Sequence, residues 1–199
     1  MKNLVKFVNY YAHLTALSIA VLLSISGCAT SVQPLATPDV CTDVAVIDGE
    51  WIVELSKFGA LEAGAKLKVI RRAVGCYDVQ ITQADVTTSW DGNAVLLGKT
   101  VFVDLVPVID PDGDTLQESL LLAAHAIFVL HKNEKELTLH GFEHNKLYPL
   151  AYKEHLIAAP DRSHRTVFVA DSPQLQKFFQ QHGQSLEVKE PIIVLKRKS

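Results

Sequence analysis

The chain has 199 residues, 48% of them apolar and 21% charged, with 19 basic side chains against 22 acidic ones and a net charge of −3. That length suits one domain able to bury a real core. Mild acidity, with no basic stripe, excludes the electrostatic footprint of a nucleic-acid binder, so no nucleic-acid partner is expected.

The first residues carry Lys2 and Lys6 and no acid, and an apolar run follows from about Leu14 to Ile25. These are the charged and apolar regions of a secretory signal. The run is shorter than the roughly 20 apolar residues that span a bilayer. It ends in Ile25-Ser26-Gly27-Cys28, where small residues lead into a cysteine. That pattern resembles the lipobox of bacterial lipoproteins, in which the thiol is acylated and the chain is cut just before it. The resemblance implies that residues 1–27 are removed and that Cys28 carries the lipid, palmitate included. The membrane is then a partner through the N-terminal acyl chains, since two or more chains anchor stably where one holds only marginally. Ala29 rather than aspartate follows, a pattern that in enteric-type bacteria resembles lipoproteins sent to the outer membrane. The expected location is therefore the cell envelope, on the periplasmic face of that membrane. Lys2 and Lys6 are the only charged residues removed, so 17 bases and 22 acids remain, a net charge of −5.

Two further cysteines, Cys41 and Cys76, enter this oxidising compartment, where leftover thiols are a natural pair. A bridge would close a loop of about 35 residues and contribute roughly 3–4 kcal/mol. The alternative is two buried thiols that never meet.

From Ala29 to about Val40 the chain is small, polar and proline-bearing, and reads as a tether. Val44-Ala45-Val46-Ile47 is a short apolar run, and Asp48-Gly49 marks a turn. Alternation then predicts strands: Trp51, Val53 and Leu55 share one face, and 66–71 and 77–82 repeat the pattern. Asp91-Gly92-Asn93 is a turn signal. Residues 94–97 and 100–106 read as strands meeting near Gly98, and Pro107 to Asp114 reads as a loop. A short helix is expected from Leu116 to Ala124. Residues 126–130 and 137–139 form a hairpin around the polar turn Lys132-Asn133-Glu134-Lys135. Glu143 to Glu154 looks helical but interrupted at Pro149. Thr166 to Ala170 is another strand. Ser172 can cap a helix with Pro173 in its first position, Leu175, Phe178 and Phe179 on its apolar face, and Gly183 at its left-handed end. A last strand, Ile192 to Leu195, precedes Lys196-Arg197-Lys198.

Many short strands at regular spacing suggest a sandwich or a closed barrel. Gly49-Glu50-Trp51 is the G-x-W pattern, and it resembles the opening of lipocalin-like barrels. The resemblance implies that Trp51 closes one end, that Lys196 or Arg197 packs over it, and that the interior holds a small hydrophobic ligand. The second half, from Lys99 through Phe179, is also similar to uncharacterised bacterial lipoproteins.

Chemistry-bearing patterns are sparse. His140-Gly141-Phe142-Glu143-His144 matches the inverted zinc-protease motif, which needs both histidines on one helix face. Here a strand precedes the motif, and Gly141 disfavours helix. The remaining histidines, among them His125, His131, His155 and His164, are irregularly spaced, so no metal ligands are assigned. Asp110, Asp112 and Asp114 alternate as in calcium loops but lack the glycine and glutamate of an EF-hand. Ser163-His164 are chain neighbours, a poor geometry for a dyad. There is no nucleophile elbow and no phosphate loop, and no cofactor or catalytic residue is assigned.

The expectation is a signal peptide over 1–27, a lipidated tether over 28–40, and one mainly-β domain over 41–199. That domain is expected as an antiparallel lipocalin-like barrel, or an open sandwich, with one or two short helices. The expected role is non-catalytic: a membrane-anchored envelope lipoprotein that binds a small apolar or lipid-like ligand. The alternative is an envelope structural or interaction protein with a protein partner, and a metal-dependent hydrolase comes third.

Overall fold

The computed structural model of the protein describes residues 29–44, 47–57, 61–108, 124–157 and 166–198. Within them lie β1 (Ala29–Ser31), β2 (Gly49–Ser56), β3 (Lys66–Ala73), β4 (Cys76–Gln83), β5 (Val86–Leu97), β6 (Thr100–Pro107), β7 (His125–Lys132), β8 (Glu136–His140), α1 (His144–Lys153), β9 (Val167–Phe168), α2 (Ser172–Leu186) and β10 (Ile193–Arg197). Cys28, the signal, the Asp110–Asp114 loop, Ser163-His164 and most of the helix expected from Leu116 to Ala124 lie outside the described residues.

From β2 to β8 each strand pairs antiparallel with the next. β8 pairs with β10, and β10 pairs back onto β2. The result is a closed eight-stranded antiparallel barrel of up-and-down order, the barrel expected from the alternating pattern and not the open sandwich. Closure leaves these strands no free edge.

Alternation sends one face of each strand inward. Trp51 and Val53, Leu67 and Val69, Tyr77 and Val79, and Leu137 and Leu139 fill the interior. Leu55, expected on the same face, reaches the far rim and is 41% exposed. A second core lies outside the barrel. Val95, Leu97, Phe102, Ile127 and Val129 point outward from β5, β6 and β7 and pack against the apolar faces of α1 and α2. The late helix therefore covers a side wall of the barrel.

Four local expectations are corrected. Asp91-Gly92-Asn93 is no turn: it lies within β5, where a Cβ on Gly92 would come within 3.1 Å of Val79 and 3.2 Å of Leu105. The glycine lets neighbouring side chains close over the strand. The turn comes earlier, at Ala84 and Asp85, both with positive φ, as a two-residue hairpin requires. The cap of α2 is Asp171, which accepts from the Gln174 N–H while the Gln174 side chain returns a bond to the Asp171 N–H. Gly183 does not end the helix, which runs on to Leu186; a Cβ there would fall 2.5 Å from the Phe102 ring. α1 also runs unbroken through Pro149.

The segment before Cys41, read as a tether, is packed on the barrel. Ala29 and Leu35 are fully buried. β1 pairs with β7, and Leu96 N–H donates to Val40 O at 3.3 Å. Asp104, an outward-facing carboxylate of β6 with no exposure, holds the middle of this strap. It accepts from Leu35 N–H at 2.8 Å and Ala36 N–H at 3.3 Å, and its other oxygen meets His125 Nδ1 at 2.8 Å. From above, Gln176 of α2 donates to Leu35 O and Thr37 Oγ1.

Candidate functional site

The barrel interior is the cavity that sequence resemblance offered as a ligand site. One end is shut. Gly49 has a φ of 134°, and a Cβ there would meet Arg197 Nη1 at 3.3 Å, so glycine allows the guanidinium to settle against the start of β2. The Arg197 guanidinium carbon stands 4.8 Å from the centre of the Trp51 ring, within cation–π range. Trp51, 1% exposed, donates from Nε1 to Ile47 O at 2.8 Å, and Arg197 Nη2 donates to Asp48 O at 3.1 Å. Of the two basic residues named for this place, Arg197 takes it. Lys196 faces outward to Glu54 at 2.7 Å.

Behind that closure, among the described residues, apolar side chains fill most of the interior. A void of about 60 Å³ is left between Leu67, Val69, Tyr77, Val103, Leu130 and Leu139. Tyr77 brings the hydroxyl among these, and it is used: it accepts from Val44 N–H at 2.9 Å. Burial pushes the phenol above its ordinary value. Pockets for small molecules run to about 300–1,000 Å³.

Beside the closed end, Cys41 and Cys76 are half-buried free thiols. Their side chains are hydrogen-bonded to each other, and burial together with this neighbour raises the Cys41 thiol above its usual range. Gly75 makes the approach possible: its φ is +70°, and a Cβ there would fall 2.8 Å from that of Cys41.

The inverted zinc-protease motif does not assemble. His140 ends β8, with Nε2 on Thr138 Oγ1 and Nδ1 on Val188 O, each at 3.0 Å. Glu143 stands before the first residue of α1 and pairs with Lys146 at 2.8 Å. His144 opens α1 and turns Nδ1 to Thr166 Oγ1 at 3.2 Å. Residues four apart share a face only within a helix, and here a strand-to-helix corner separates them.

No family model matches the chain, nor does any curated protein or solved structure. What it shares with barrel proteins is therefore the architecture, a closed eight-stranded antiparallel barrel.

Two features escaped the sequence. Asp104 was visible as one acid inside the apolar run Val101 to Val106, where a charge on an alternating strand announces a buried partner or solvent. The meeting of His131 and His140 with Glu187, set out below, had no comparable signal, because Glu187 follows a helix far along the chain.

Proposed function

We propose that the protein is a lipid-anchored, non-catalytic component of the bacterial envelope that works through its outer surface, with a protein partner. The observation that carries this reading is the filled interior. A lipid-like ligand needs several times the 60 Å³ left free, and making room would mean moving side chains such as Leu130 and Leu139 out of a packed core. Supporting it, the outer wall is elaborated: strap, α1, α2 and β9 are all laid on the outside. Among the described residues Val32, Val167 and Val169 are exposed apolar side chains on the ribbon formed by β1 and β9. The lipobox-like run ending at Cys28 supports the anchor, and the separation of His140, Glu143 and His144 supports a non-catalytic role.

A second reading, a carrier of a small apolar molecule, is favoured by the apolar walls of the void. It requires the barrel to widen on binding.

Native mass spectrometry on the full chain, extracted from membranes in mild detergent, separates the two. The expected spectrum shows the acylated chain with no other small molecule retained, and formaldehyde crosslinking in intact cells adds a discrete protein partner. A retained hydrophobic mass, released on denaturation, would overturn the surface reading in favour of the carrier. Cys28→Ser is expected to remove the acyl mass and release the protein from the membrane; unaltered attachment would sink the anchor.

A further inference from the structure

His131 and His140 lie on neighbouring strands. His131 stands opposite Thr138, and His140 stands opposite Val129, so the two histidines are diagonal neighbours on the outer face of the β7–β8 hairpin. Their rings are 4.6 Å apart, edge to face. Over them comes Glu187, the residue after α2. Its Oε1 is 2.5 Å from His131 Nε2 and 3.3 Å from His140 Nδ1. The ligand atoms of all three side chains lie within 4.8 Å of one another.

We propose that His131, His140 and Glu187 form a binding site for a divalent transition-metal ion of the zinc class. Two imidazoles and one carboxylate are a donor set that zinc accepts, and three protein ligands leave one position open. At bonds of about 2.0–2.1 Å, the ligand atoms of a tetrahedral ion stand about 3.4 Å apart. The pair at 3.3 Å already does so, the pair at 2.5 Å must part by about an ångström, and the two histidine nitrogens, within 4.8 Å of each other, must draw together.

The backbone holds the three groups in place before any ion arrives. The ladder of β7 and β8 sets the two histidines. An antiparallel bridge between Phe142 and Glu187, flanked by Val188 N–H to Gly141 O at 3.0 Å and Glu143 N–H to Leu186 O at 2.8 Å, sets the glutamate. His140 also has an outer partner. With the ion on Nδ1, the ring proton sits on Nε2 and is donated to Thr138 Oγ1, which fixes the tautomer as second-shell partners do. Without it, Nδ1–H donates to Val188 O and Nε2 accepts from the threonine hydroxyl. The His131 side chain is 55% exposed and that of His140 10%, so the site has one deep ligand, one open ligand and an entry from solvent. Imidazole donors favour copper and nickel as well as zinc; magnesium and calcium, which take oxygen ligands, are excluded as its occupants.

The test is calorimetric titration of the purified full chain, stripped of metal, with zinc chloride. One saturable site is expected, weakened at least about tenfold by His131→Ala, by Glu187→Gln and by Thr138→Val, the loss that even outer partners can cause. His182→Ala removes another histidine paired with an acid, at Glu154, and is expected to leave binding unchanged. Cobalt(II) then reports the ligands: visible bands without an intense near-ultraviolet thiolate band are expected. No saturable binding, equal binding in His131→Ala and Glu187→Gln, or a thiolate band that assigns the ion to Cys41 and Cys76 would each overturn the site. His131 is exposed, so His131→Ala keeps its fold, and an unchanged Tm verifies this.

Discussion

At Gly183 a single hydrogen atom decides how closely a helix can lie on a barrel wall. The residue is buried within α2, and the Phe102 ring occupies the place of a side chain. Phe102 cannot easily withdraw, being fully buried with Phe179 at 5.5 Å. Gly183→Ala therefore opposes two effects. Helix propensity improves by about 1 kcal/mol, while a forced methyl in a packed core costs about 1–3 kcal/mol. The expected result in urea melts is a net loss of up to about 2 kcal/mol; a gain in stability would show that the ring yields. From sequence, this glycine could only be placed by habit, at the end of a helix. The reason for it sits on another strand far away along the chain. Trp51 was legible for the opposite reason. Its local pattern, glycine before and a strand after, names its place, and only the choice of Arg197 over Lys196 needed the fold.

Among the elements, the strap over 29–40 shows how far composition can mislead. Small residues and prolines describe a tether and a strap equally well; what distinguishes them is a partner, here the buried Asp104 carboxylate. Asp104→Ala leaves the Leu35 and Ala36 amides and the His125 ring without their acceptor. Leaving a buried hydrogen-bonding group without its partner costs about 1–3 kcal/mol. Hydrogen exchange at the Leu35 amide is expected to accelerate sharply in this variant. If that amide stays as protected as before, the carboxylate is not what fastens the strap. The strands, by contrast, were largely readable, because a half-buried strand writes its two faces into alternate residues. β5 was the exception: its Asp-Gly-Asn run imitates a turn, and the real turn at Ala84 and Asp85 carries no glycine.

At the scale of the molecule, closure is what no local pattern records. β2 and β10 meet across nearly the whole length of the domain, so barrel and sandwich looked alike until that pairing was seen. Beside the shut end, the bridge of Cys41 to Val95 and the pairing of Cys76 with Asn93 bring the two cysteines together on β5, and both the Cys41 thiol and the Tyr77 phenol have folded-state pKa values raised by burial. A raised value favours the neutral form in the folded state. The stability it confers is complete below the unfolded values, about 8.5 for a thiol and 10 for a phenol, and is lost as pH rises through the folded ones. The reduced protein is therefore expected to weaken from about pH 9 upward. In an oxidising compartment the two thiols are expected to form a bridge worth roughly 3–4 kcal/mol. Bridging removes the Cys41 proton, so the alkaline decline of the oxidised protein starts later, at the phenol. Urea melts at pH 7.5, 9 and 10.5, with and without reductant, check both points. Identical curves in the two redox states would show that no bridge forms.

β1 begins at Ala29, one residue after Cys28, and Ala29 is already fully buried. A dozen free residues would give a leash of about 40 Å. Were Cys28 to carry the proposed acyl chains, this leash would shrink to about 4 Å, the span of a single residue. The barrel would then ride on the bilayer surface at a set tilt, like a stud and not a buoy. Any molecule it met would then have to come to the membrane.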